Sequence, residues 1–134
     1  MTRDEIIAKL IQEYRWSEGA IEFAVRTGCR CEYCGRDFLA TYNDYDSWES
    51  DHVIPRSQGG RETAADNLAS VCRTCNKLKR ATTTPTLLEP ALSLPERVEE
   101  ARRLVLEKKE QKERELGRVR ELLRELIAQQ SNGL

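Results

Sequence analysis

The sequence predicts an α+β fold, mostly α: a small metal-riveted domain with helices before it and a long charged helical arm after it. Three observations predict it. Cys31-Glu32-Tyr33-Cys34 and Cys72-Arg73-Thr74-Cys75 are two Cys-x-x-Cys pairs at the separation of a tetrahedral zinc site. Hydrophobic content of 39% with aromatics at 6% is too lean for a large core, so a metal that supplies folding free energy fits this chain. Helical periodicity and helix-start signals dominate both ends, whereas strand-like runs lie between the cysteine pairs.

Taken in order, Thr2-x-x-Glu5 is a capping box, and Ile6, Ile7, Leu10, Ile11 and Tyr14 follow at helical spacing. This segment, residues 1–18, is expected to lay its apolar stripe on the body of the domain. Ala20 to Thr27 reads as a second helix that Gly28 stops, leading straight into the first cysteine pair. Phe38 to Ser50 is rich in turn residues, and Tyr42, Tyr45 and Trp48 are expected to cover the small core rather than to face a ligand. Trp48–Ile54 and Asn67–Val71 read as two strands, joined by a loop that Pro55 and Gly59-Gly60 open. After Cys72 the chain turns into a short helix over about 73–80.

Residues 19–82 therefore form the metal-centred domain, and 83–94, with Pro85 and Pro90, read as a Pro/Thr linker. Ser93-x-x-Glu96 starts the arm of residues 95–134, which as one helix would extend roughly 50 Å. Val98, Val105, Val119 and Leu126 share one heptad register that Lys112 interrupts, and Gly117 permits a bend. The arm is expected to pack on itself, on the first helix, on another copy as a homodimer, or on a partner protein.

The formal charge of −1 sets this chain apart from strongly basic nucleic-acid binders. Locally the balance differs: Arg73, Lys77, Lys79 and Arg80 cluster after the second cysteine pair, with Arg56 and Arg61 in the preceding loop. Those four residues are the expected nucleic-acid contacts, with modest and salt-sensitive affinity. No signal peptide or membrane-length apolar run is visible, so a reducing, cytoplasmic setting is expected and the paired cysteines read as thiolates, not disulfides. Cys29 is left over, and a small half-buried role suits it better than competition with Cys31.

Between the pairs stands the single histidine of the chain, directly after an aspartate. The Asp51 carboxylate can hold a hard divalent cation while the His52 imidazole takes a proton from water. Asn76, next to the last cysteine, offers an amide oxygen as a second hard ligand. Two protein ligands leave coordination positions to water and phosphate oxygens, the habit of Mg²⁺, and such a set suits phosphodiester hydrolysis.

The run from Cys31 to Lys79, with Asp51-His52-Val53-Ile54-Pro55, Gly59-Gly60, Asn67-Leu68 and Cys72-x-x-Cys75-Asn76, resembles the HNH (His-Asn-His or His-Asn-Asn) endonuclease family of the ββα-metal fold. The resemblance spans about half of the chain, residues 19–82. It implies DNA cleavage to 5′-phosphate and 3′-hydroxyl ends, with Zn²⁺ on Cys31, Cys34, Cys72 and Cys75, and Mg²⁺ or Mn²⁺ on Asp51 and Asn76. It implies further that His52 is the general base and that Asn67 ties the interstrand loop so that His52 is aimed. Asn76 stands where many members carry a third histidine. The competing reading is a non-catalytic zinc module that binds nucleic acid or protein, with the arm as its interface.

Overall fold

The computed structural model describes residues 1–60 and 67–131, so Arg61, expected beside the site, lies outside the described residues. Its elements are α1 (Arg3–Tyr14), α2 (Glu18–Thr27), α3 (Tyr42–Asp46), β1 (Trp48–His52), a 3₁₀ turn (Arg56–Gln58), β2 (Leu68–Cys72), α4 (Arg73–Lys79) and α5 (Leu94–Ser131). Two antiparallel strands, paired from Trp48↔Cys72 to His52↔Leu68, carry α4 immediately behind them. This is the expected α+β, mostly helical architecture.

The caps explain most boundaries. Thr2 Oγ1 accepts from Glu5 N while Glu5 returns a bond to Thr2 N, which closes the capping box of α1. Ser17 caps α2 two residues earlier than the periodicity implies, and Gly28 ends it at φ 67°. The turn-rich stretch after Phe38 holds a one-turn helix, because Thr41 Oγ1 caps Asp44 N at 3.1 Å. Trp48 stacks on the fully buried Phe38 with ring centroids 5.4 Å apart, so that ring covers the core as expected. Tyr42 is 75% exposed and does not.

The core gathers Tyr33, Phe38, Val53, Ala69, Val71 and Leu87 with Val98, Ala101 and Val105. Two expectations change here. α1 buries none of its residues, and its Ile6, Ile11 and Tyr14 are exposed, so the first helix does not lay a sealed stripe on the domain. The segment read as a linker drives Leu87 into the core, and Thr84 Oγ1 accepts from Leu87 N to shape that turn. The prolines stop a helix there without freeing the chain.

α5 is one unbroken helix of 38 residues, about 57 Å long, with no hairpin at Gly117. Its heptad register divides in two: Val98 and Val105 are buried against the domain, while Val119 and Leu126 are exposed. Burying the first turns is a packing gain that Gly117, near the middle, does nothing to oppose.

Candidate metal centre and hydrolytic cleft

The Sγ atoms of Cys31, Cys34, Cys72 and Cys75 all lie within 4.8 Å of one another. Zn–S bonds of about 2.3 Å set tetrahedral S···S edges near 3.8 Å, and Cys34 and Cys72 stand 3.7 Å apart. Backbone amides reinforce the sulfurs: Cys34 N and Cys72 N donate to Cys31 Sγ at 3.4 and 3.3 Å, and Cys75 N donates to Cys72 Sγ at 3.5 Å. Hydrogen bonds among the four push the Cys34 thiol down and those of Cys72 and Cys75 up, so the sulfurs titrate as one group. The donor set fits zinc. Cys29 is buried but stands outside this group, and burial, then Asp37, pushes its thiol up.

Local structure delivers each knuckle. The first is a tight hairpin, with Cys31 N donating to Arg36 O and Gly35 turning at φ 81°. Glu32 fastens it to β2: its N donates to Ser70 O, and its Oε2 accepts from Ser70 N at 2.7 Å. The second knuckle is the β2–α4 junction itself, where Cys72 serves as the N-cap of α4.

Alternation along β1 aims Glu49 and Asp51 the same way, and the structure places both against α4. Asp51 is 5% exposed. Its Oδ2 accepts from the Tyr33 hydroxyl at 2.6 Å and from Lys79 Nζ at 3.0 Å. The other oxygen, Oδ1, takes no hydrogen bond among the described residues. Burial pushes the Asp51 carboxyl up, while Lys79 and Tyr33 pull it the other way. Tyr33 is itself pushed up by burial and then by the Asp51 charge, so its phenol remains a donor. One α4 turn before Lys79, Asn76 Nδ2 donates to Glu49 Oε1 at 2.9 Å, which leaves the amide oxygen available.

Asp51, His52 and Asn76 line one open cleft of about 380 Å³, together with Arg56, Ser57 and Arg80. Asn67 acts from behind: its Oδ1 accepts from Ile54 N at 2.7 Å and its Nδ2 donates to Ile54 O at 2.8 Å. Both bonds, with Val53 N on Asn67 O at 2.8 Å, fix the chain just after His52. Gly60 is required beside this clamp, because a Cβ there would sit 1.8 Å from Ile54 O. Lys79 Nζ also donates to His52 O at 3.1 Å, so the histidine is held from two sides.

One expected phosphate contact is corrected. Lys79 is fully buried on Asp51 and is no surface cation. Arg73 remains exposed but is paired, its Nε 3.1 Å from Glu49 Oε2 and its Nη2 donating to Asp46 O at 2.9 Å. Lys77 and Arg80 are exposed as expected. The sequence reading missed Tyr33 and Glu49 as partners of the site. Period two on β1 against period three to four on α4 carried the signal for Glu49, and nothing local carried it for Tyr33.

A four-thiolate knuckle that joins a two-stranded hairpin to a short helix, with Asp-His and Asn over one cleft, defines the ββα-metal class. Residues 31–82 match the HNH endonuclease family. Over 55 residues the chain is 36% identical to a CRISPR-associated endonuclease Cas9 of Actinomyces naeslundii, a stretch that covers 41% of this chain and 4% of that protein. No solved structure matches the chain. The chain thus carries an HNH endonuclease domain at residues 31–82. No helix among the described residues is long and apolar enough to cross a membrane.

Proposed function

We propose that this protein is a metal-dependent endonuclease that hydrolyses DNA phosphodiester bonds in the cleft of Asp51, His52 and Asn76. One observation carries the reading: an acidic oxygen and an amide oxygen, each with its sister atom already tied down, line the same cleft as the single histidine. Asp51 and Asn76 would hold Mg²⁺ or Mn²⁺, which when bound supplies charge stabilisation at the phosphate. His52 takes the proton of the attacking water. Asn67 and Lys79 are positioning residues that fix the backbone of that histidine. Zinc on the four cysteines keeps β2 and α4 at the angle that brings Asn76 beside β1.

Supercoiled plasmid incubated with Mg²⁺ or Mn²⁺ tests this. Losing a general base typically costs 10²–10⁴-fold, so His52→Ala should abolish nicking while zinc content and fold persist. Equal nicking by both proteins, or none by either, favours the second reading: a non-catalytic zinc module for nucleic acid or protein. The charge of −1 is the observation on that side.

The remaining partner is a second copy. Leu116, Val119, Leu122, Leu123 and Leu126 lie exposed on distal α5 at three- and four-residue spacing. That stripe supports a homodimer through the arm, which Leu123→Glu should return to monomer in light scattering. A cytoplasmic setting, expected from reading the cysteine pairs as metal thiolates, belongs to the same proposal.

A further inference from the structure

Beside the cleft, α4 and α5 enclose a groove of about 900 Å³ lined by Arg73, Thr74, Lys77, Leu78, Arg80, Lys108, Gln111 and Lys112. Five of these eight side chains are cationic and none is acidic, in a chain whose overall charge is −1. Such segregation is not a by-product of composition. Arg73 is largely neutralised by Glu49 and Asp46. The others are not. Lys77 and Arg80 make no ion pair among the described residues, and Arg80 Nε merely donates to Lys77 O at 3.0 Å. Lys112 reaches only Glu115, at 3.2 Å with both side chains about two-thirds exposed, a pair of the kind that contributes at most about 1 kcal/mol.

Lys108 is the informative member. Its Nζ donates to Leu78 O at 2.9 Å and to Thr82 Oγ1, both neutral acceptors, so its charge is fixed in place without being cancelled. Desolvation, followed by the like charges of Lys79 and Arg80, pushes its ammonium down. Arg80 lines both this groove and the hydrolytic cleft, so the two adjoin.

We infer that the groove between α4 and α5 is a track for the nucleic-acid backbone, in which Lys77, Arg80, Lys108 and Lys112 contact phosphates beyond the scissile one. The proposal rests on the nuclease reading for the identity of the polyanion, and it makes the proximal arm a wall of the substrate path. Lys108 and Lys112 are one helical turn apart, about 6 Å along the axis, so α5 offers cations in succession along a strand. A duplex or single strand is favoured over an acidic protein because the groove adjoins the cleft at Arg80.

The test is equilibrium binding of a fluorescent 30-base-pair duplex in the His52→Ala background without added Mg²⁺ or Mn²⁺, between 50 and 200 mM salt. Each phosphate contact contributes about −0.9 to the slope of log K against log salt. Lys77 and Lys112 are both exposed, so Lys77→Gln/Lys112→Gln should retain the fold and reduce the slope by about 1.8. Lys109→Gln/Arg124→Gln, which removes two cations outside the groove, should leave it unchanged. An unaltered slope in the groove variant, an equal loss in the control variant, or no salt-dependent binding overturns the proposal. So does polyglutamate that competes as well as duplex of equal charge. Plasmid nicking by the wild type is scored separately: a slope that falls without nicking keeps the groove and sinks the nuclease, and nicking with an unaltered slope does the reverse.

Discussion

Lys79 offers the sharpest test of how the site is held. Its side chain is fully buried, 3.0 Å from Asp51 Oδ2 and 3.1 Å from His52 O. At that separation and an effective dielectric of about 20, the charges attract by about 5.5 kcal/mol, much of which is offset by taking both out of water. Lys79→Met removes the attraction but leaves the Asp51 carboxylate buried with only Tyr33 as donor. Breaking such a pair from one side typically costs about 3–5 kcal/mol, and the orphaned His52 carbonyl adds about 1 kcal/mol. The expected fall in Tm of the zinc-loaded protein is roughly 10–20 °C. Asp51→Asn alone should also destabilise, by leaving the ammonium unpaired. The double variant should be less destabilised than the sum of the singles by at least about 2 kcal/mol. Urea unfolding of the four proteins measures the cycle. A Lys79→Met protein as stable as wild type, or an additive cycle, would refute the view that a buried ion pair fixes the strand carrying Asp51-His52.

Other outcomes follow from the same geometry. Gly60→Ala should destabilise by about 1–3 kcal/mol in denaturant titration, because the new Cβ would overlap Ile54 O and come within 2.7 Å of Asn67 Nδ2. Cys72→Ser should lower the zinc bound per chain, read by a colorimetric chelator, and abolish cooperative unfolding, since a sulfur at the strand–helix junction is lost. Ending the chain at Ser93 removes Val98, Ala101, Leu104 and Val105 from the core. At about 1.5–3 kcal/mol for each buried Val or Leu, that loss rivals the whole stability of a small domain and should leave no folded protein by circular dichroism. Ending it at Arg114 should leave the thermal transition nearly intact.

What could be seen in the sequence was whatever a fixed short spacing dictates. Two Cys-x-x-Cys pairs can hardly avoid one ion, and the structure brings all four sulfurs together. The strands came out within two residues, because Pro55 and Gly59-Gly60 leave few other places to turn. Asn67 was found through the family resemblance, and its two bonds to Ile54 supply the physical reason. Lys79 was misread because helical spacing beside Lys77 and Arg80 says which residues are near, but not which face is covered. Only the position of Asp51 on the neighbouring strand decides that. The arm was legible as a helix but not in its division, since Val98 and Val119 are alike in sequence and differ only in whether the domain lies beneath them. Leu87 shows the same limit: prolines mark where a helix stops, and two adjacent leucines after a run of threonines give no periodicity to say which one enters the core.

The short helix α4 explains why a metal remote from the chemistry matters to it. Cys75 belongs to the four-cysteine knuckle, Asn76 is its immediate neighbour in the cleft, and Lys79 lies one turn further on beneath Asp51. A helix of 7 residues has little intrinsic stability and takes its orientation from what pins its ends. Its N-terminus is pinned by sulfur and its C-terminal turn by a buried ammonium. Rotation about either pin would move Asn76 away from β1, and the Glu49 bond to its amide would have to break first. The four-cysteine knuckle and the candidate cleft are therefore coupled through fewer than two helical turns. Loss of zinc should be felt at Asn76 before any strand separates.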